Sequence, residues 1–173
     1  CGYAAEAQMT YFLSKILQAG ADVNHVDKDG DMPLAYAVMK SYPEVVRMIL
    51  DSGGRGDYEN YRGETPLFRA VDLSISNPYV LRMLLDGGSD VNHEDEFGRT
   101  PLCIAVAEHS NLEVIKALLE AGADVNHVDR DGQTAIFEAA RNENPEVIKA
   151  LLDAGADVNH VDRDGQTAIF EAA

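Results

Sequence analysis

A stretch of 20 residues occurs twice without a single change: residues 121–140 and 154–173 both read AGADVNHVDRDGQTAIFEAA, offset by 33 positions. Repetition at this period constrains the fold more than any local motif. A unit of that size is one supersecondary element that cannot bury its apolar face alone, so it must stack against its neighbours in a row. The expected product is an extended surface, not a single enclosed cleft.

Two glycine columns carry the period through the chain. Gly30, Gly63, Gly98, Gly132 and Gly165 are spaced by 33, 35, 34 and 33 residues, and Gly20, Gly53, Gly88, Gly122 and Gly155 give the same series. After each turn glycine the sequence opens a short helix. Thr65-Pro66, Thr100-Pro101 and Thr134-Ala135 place a capping hydroxyl before the first helical residue, where proline costs nothing. Leu34, Ala37 and Val38, matched by Ile136, Ala139 and Ala140, give that helix one narrow apolar face. A second helix starts at Pro43, Pro78, Leu112 or Pro145, with Asn77, Asn111 and Asn144 as N-caps. Its wider stripe is Val147, Ile148, Leu151 and Leu152, or Val45, Val46, Ile49 and Leu50. The second glycine column supplies the left-handed residue that ends it. Between the glycines, about nine residues such as 123–131 have Asp-rich turn chemistry ending in Asp-Gly, which suits a hairpin-like finger. The longer units insert between the helices, at 72–77 and 107–111, which keeps the packing faces in phase.

These residues resemble the ankyrin repeat: D-x-x-G-x-T-P-L, a short helix ending Ala-Ala or Ala-Val, then E-V-I-x-x-L-L-x-x-G-A-D-V-N. The resemblance covers essentially the whole chain. It implies an all-α repeat solenoid of stacked helix-turn-helix units with β-hairpin-like fingers. The chain divides into a partial unit 1–29 whose second helix spans about 9–19, full units 30–62, 63–97, 98–131 and 132–164, and a partial unit 165–173. The family's usual histidine after T-P-L is replaced by Ala35, Phe68, Cys103, Phe137 and Phe170, so units are expected to join there by apolar packing. The finger of unit 30–62 has Gly54, Arg55 and Gly56 in place of Ala-Asp-Val and is expected to be the least rigid. Neither end shows a polar cap, and an interior segment of a longer array is expected.

Several local patterns carry chemistry only on first reading. His127 to Glu138 mimics a calcium loop through Asp129, Asp131, Gly132 and Glu138, but its first position is His127 and Thr134 onward reads as helix. His25, His93, His127 and His160 each precede an aspartate by two residues, as a His–Asp dyad would, yet nothing beside them resembles an activated nucleophile. The expected role is structural: the aspartate holds the turn and the histidine flanks it. No catalytic, metal or cofactor site is assigned. Glu44/Arg47, Glu113/Lys116 and Glu146/Lys149 are expected as surface pairs. Through the resemblance, Asn24, Asn92, Asn126 and Asn159 match the finger asparagine that asparaginyl hydroxylases modify.

A net charge of −16 argues against nucleic-acid phosphates or an anionic membrane surface as partners, and leaves two readings open: a partner with a basic surface, or acidity kept for solubility. Cys1 and Cys103 lie three units apart, about 30 Å at helix-packing distances, beyond disulfide reach. Two free thiols and the absence of any Asn-x-Ser/Thr sequon fit a reducing, intracellular (cytoplasmic) setting, with a secreted effector as the alternative.

In the resembled family, finger tips and the outward face of the first helix line a concave binding groove. The matching positions are Tyr58, Tyr61, Arg62 and Glu64 on one finger, then Glu94, Glu96, Phe97 and Arg99 on the next. Arg130, Asp131 and Gln133 follow as a more generic surface. Tyr, Phe and Arg are types that dominate interface energetics. Two readings stand for the aromatics: anchors for a partner, or packing between fingers. The functional expectation is a monomeric, non-catalytic protein-interaction scaffold. Its rivals are a regulatory or targeting arm of a larger enzyme or effector, and a structural spacer.

Overall fold

A computed structural model of the chain describes residues 2–71, 77–108 and 111–172, with the side chains of 2–7 left aside. After α1 (Gly2–Gln18) come four helix pairs. These are α2 (Pro33–Met39) with α3 (Pro43–Asp51), α4 (Pro66–Val71) with α5 (Pro78–Asp86), α6 (Pro101–Ala107) with α7 (Leu112–Glu120), and α8 (Ala135–Arg141) with α9 (Pro145–Asp153). A single 3-10 turn, Ala168–Phe170, follows. The short helices α2, α4, α6 and α8 stack on one another and on the 3-10 turn, and α1, α3, α5, α7 and α9 form a second row. Contacts run from each pair to the next, as a solenoid requires.

The core is the seam between the rows. Ala37, Ala70, Ala105 and Ala139 are buried at one register of the short helices, and their small side chains let neighbouring helices approach closely. Ile49, Leu84, Leu118 and Leu151 fill the matching register of the longer row at no more than 2% exposure. Truncating any one of them to alanine costs about 2–5 kcal/mol, because the two flanking units cannot collapse into the hole. Phe68, Cys103 and Phe137 are buried where the family's histidine would stand, whereas Phe170 is exposed.

Helix boundaries follow side-chain chemistry at some caps and not others. Asn77 Oδ1 accepts from Tyr79 N, Asn111 Oδ1 from Glu113 N, and Asn144 Oδ1 from both Glu146 N and Val147 N. Of the three helix-opening threonines Thr65, Thr100 and Thr134, only Thr100 caps, accepting from Cys103 N at 3.4 Å. Thr134 makes no capping bond, and Thr65 Oγ1 is buried with no partner. Of the three expected surface pairs only Glu44–Arg47 is joined. The insertions at 72–77 and 107–111 lie mostly outside the described residues.

The N-terminal unit departs from expectation. In place of a second helix confined to 9–19, one helix runs unbroken from Gly2 to Gln18. Three of the four later helix pairs break at an x-Pro step (Tyr42-Pro43, Asn77-Pro78, Asn144-Pro145) and the fourth at the Asn111 cap, and residues 3–19 contain neither Pro nor Gly. With Ala4, Ala5 and Ala7 among the best helix formers, nothing local stops the helix. At the other end, the expected first helix of the last unit is a single 3-10 turn.

The fingers are turns, with no strand among the described residues. Asp27, Asp95, Asp129 and Asp162 each hold a turn by accepting backbone N–H groups two and four residues ahead. The turn glycines have φ from +73° to +83°. At Gly132 a second constraint applies, since a Cβ would sit 2.9 Å from Arg163 N of the next finger. Only glycine meets both demands.

Candidate interaction site

Two side-chain ladders lock the fingers into a rigid face. Asn126 Nδ2 donates to Gly155 O at 3.0 Å while Asp157 N donates to Asn126 Oδ1 at 2.8 Å. Asn92 bridges to Gly122 O and Asp124 N in the same way, and Asn24 to Gly53 O and Arg55 N. In the reverse direction His93, His127 and His160 place Nε2 at 3.0, 2.8 and 2.9 Å from the carbonyls of Gly63, Gly98 and Gly132. Three of the four histidines of the dyad pattern therefore tie one finger to the one before it, while the aspartates are occupied by backbone amides. Phe68 and Phe137 meet His93 and His160 edge-on, with ring centroids at 6.1 and 6.2 Å. The calcium-like loop is likewise taken apart: Glu138 lies on α8 and pairs with Arg141 at 2.8 Å.

Finger 54–64 breaks both ladders. Asp57 replaces the asparagine and pairs with Arg55 Nε at 3.2 Å. Tyr58 replaces the histidine; it is half-buried beside Gly30, Met32 and Pro66, with Arg55 over its ring at 5.5 Å. Asn60 replaces the turn aspartate. Its Oδ1 accepts from Arg62 N and Glu64 N, and its freed Nδ2 donates to Asp31 Oδ1 and Glu64 Oε2. Arg69 completes this half-buried network, 3.0 Å from Glu64 and 3.6 Å from Asp31. The finger expected to be least rigid is thus held by a different set of bonds.

The named recognition residues separate by environment. Tyr58 packs between fingers. Tyr61 is 75% exposed and Phe97 55% exposed, on adjacent finger tips whose backbones are joined by Glu96 N donating to Arg62 O. The Arg99 guanidinium lies over the Phe97 ring at 4.9 Å and pairs with buried Asp95 at 2.7 Å. Glu64 is engaged with Arg69 and Asn60, as above. Glu94 and Glu96 are exposed, Glu94 lying 3.9 Å from His127 Nε2. Arg130 and Asp131 are exposed at the next tip, where Arg130 N donates to Phe97 O. Gln133 accepts from Arg141 Nη2 at 3.3 Å.

The short helices contribute residues that finger patterns do not reveal. Tyr36, Arg69, Ile104 and Glu138 occupy one register, six residues after each turn glycine. The Tyr36 hydroxyl donates to Asp27 Oδ2 at 2.7 Å and, with the Asp31 amide, holds that carboxyl below the ordinary range. Between α4 and α6 a hollow of about 180 Å³ is lined by Glu64, Phe68, Arg69, Asp95, Arg99, Ile104 and Glu108. Cys103 is a free, buried thiol pushed up by desolvation, and Cys1 lies outside the described residues. No group of three or more His, Cys, Asp or Glu among the described residues is placed to hold a metal ion.

The family model for ankyrin repeats, built of three copies, matches residues 2–95 and again 73–162. The chain belongs to the ankyrin-repeat family. A fem-1 homolog of Drosophila melanogaster is 41% identical over 51 residues, 29% of this chain and 8% of the fly protein. A putative ankyrin repeat protein of Acanthamoeba polyphaga mimivirus is 33% identical over 64 residues, 34% of this chain and 40% of the viral protein. The match thus spans well under two thirds of either relative. Ankyrin repeats are in general protein–protein interaction modules and typically non-catalytic. Among the described residues no helix is long and apolar enough to cross a membrane.

Proposed function

We propose that the chain is a non-catalytic recognition scaffold that binds a protein partner through the concave face formed by its finger tips and short helices. One observation carries the reading: Tyr61 and Phe97 stand exposed on neighbouring tips whose backbones are tied together. Leaving large aromatics in water wastes burial that a partner can recover, and a rigid support keeps the entropy cost of binding low. Tyr58, Arg62, Glu64, Glu94, Glu96 and Arg99 surround these anchors, and Arg130, Asp131 and Gln133 extend the surface along the stack. The net charge of −16 favours a partner with a basic surface and speeds its approach. The array acts as a monomer in a reducing, intracellular compartment.

A second reading, an arm of a larger protein whose activity lies elsewhere, draws on the fly relative, of which the matched segment is only 8%. It is compatible with the first, since an arm also works by binding.

The test is alanine substitution at Tyr61 and Phe97. Each change weakens partner binding by about ten-fold or more, as expected of a central aromatic anchor, and barely moves the melting temperature. Parallel loss of binding and stability assigns the two rings to packing between fingers.

A further inference from the structure

We propose that the hollow between α4 and α6 is the socket for one cationic side chain, an arginine or lysine carried on an extended segment of the partner. The inference rests on the concave face being the binding face and adds what that face selects at its centre.

The hollow, about 180 Å³, has room for a single side chain and not for a folded element. Its floor includes Phe68 and Ile104, one from each of two stacked short helices, and its walls come from fingers 54–64 and 89–99. Three carboxylates, Glu64, Asp95 and Glu108, and two guanidiniums, Arg69 and Arg99, line it, which leaves one negative charge. Both guanidiniums are ion-paired, Arg99 with Asp95 at 2.7 Å and Arg69 with Glu64 at 3.0 Å and Asp31 at 3.6 Å, while the buried Arg69 Nε has no hydrogen-bond partner. Glu108, exposed at the C-terminal end of α6, has no ion-pair partner among the described residues. Among the described residues, the charge in the socket without an ion-pair partner is therefore a carboxylate at the exposed rim. A carboxylate guest, even one that met Arg69 Nε, would enter beside Glu64, Asp31 and Asp95 and raise the local negative charge. A cationic guest lowers it: its aliphatic stem lies over Ile104 and Phe68 while its head reaches Glu108. Phe97, whose ring lies 4.9 Å from the Arg99 guanidinium that lines the hollow, adds an apolar neighbour, so a cation beside an apolar residue is the pattern the face selects.

The experiment pans a display library of random peptides of about twelve residues against the whole chain, a length that spans a groove in extended form. Selected peptides are then titrated against the chain and against Glu108→Lys, Tyr61→Ala, Phe97→Ala and Asp153→Lys. Lysine at 108 suits the C-terminal end of α6, so folding is preserved. Asp153→Lys makes the same charge change at the exposed end of α9 and reports long-range electrostatics alone. The expected result is Arg or Lys enriched at one fixed position beside an apolar residue, with Glu108→Lys weakening binding about ten-fold and Asp153→Lys less than about two-fold. Binders that lack a fixed cation, or that lose equal affinity in the two lysine variants, overturn the socket. Binders that depend on Tyr61 and Phe97 but not on Glu108 overturn the socket and leave the recognition face standing. Failure to enrich any binder, or binders indifferent to all four changes, removes both.

Discussion

Asp57 holds the Arg55 guanidinium at 3.2 Å inside its own finger, whereas Asn24, Asn92 and Asn126 at the same register reach forward to the next one. A carboxylate has no N–H to give a glycine carbonyl, so the donor half of the bridge, toward Gly88, does not form, and Asp57 Oδ1 takes Arg55 Nε where the other units accept the next finger's amide. In its place Ser89 Oγ donates to Gly56 O at 3.2 Å. Here the regular ladder gives way to finger-specific chemistry.

Asp57→Asn is expected to rebuild the missing bridge. Two added bonds, less the exposed ion pair with Arg55, stabilise the stack by about 1 kcal/mol. Urea unfolding followed by circular dichroism checks it: the midpoint rises with an unchanged slope. An unchanged midpoint would mean the two fingers are not spaced for the bridge.

Asn126→Ala removes an intact bridge and leaves Gly155 O and Asp157 N without their partner. The cost is about 1–2 kcal/mol, softened because both groups can meet water. Amide exchange locates the effect. Asp157 N–H loses protection while the Asp124 amide, held by Asn92, keeps its own.

Tyr36→Phe takes away the hydroxyl that holds the Asp27 carboxyl down. Because the folded value is depressed, this contact contributes stability at neutral pH and loses it as pH falls through the folded titration of Asp27. The variant's carboxyl titrates closer to an ordinary aspartate by carbon-13 NMR, and its acid unfolding is less steep. A titration identical to the parent's would place the cause in the Asp31 amide instead.

What the chain alone determined is the repeat, its register and the identity of the paired helices α2 to α9. The duplicated block, the paired glycine columns and the buried positions Ile49, Leu84, Leu118 and Leu151 are set within a single unit or between adjacent ones. Any stack of these units must satisfy them, so their period is written along the chain. The candidate anchors Tyr61 and Phe97 were legible too, as large aromatics at turn positions. The N-terminal helix shows where unit logic fails: the register calls for a break, but no residue between 3 and 19 imposes one. Stacking decided the rest. That histidines would reach the preceding turn glycine, that Tyr58 would tuck between fingers while Tyr61 stays out, and that Arg69, Ile104 and Glu108 would share one hollow depended on approach between separate units. Asn126 and Gly155, 29 positions apart, meet only because the helices beneath them pack. Polar side chains take the partners that packing brings within reach, and spacing along the chain does not specify that reach.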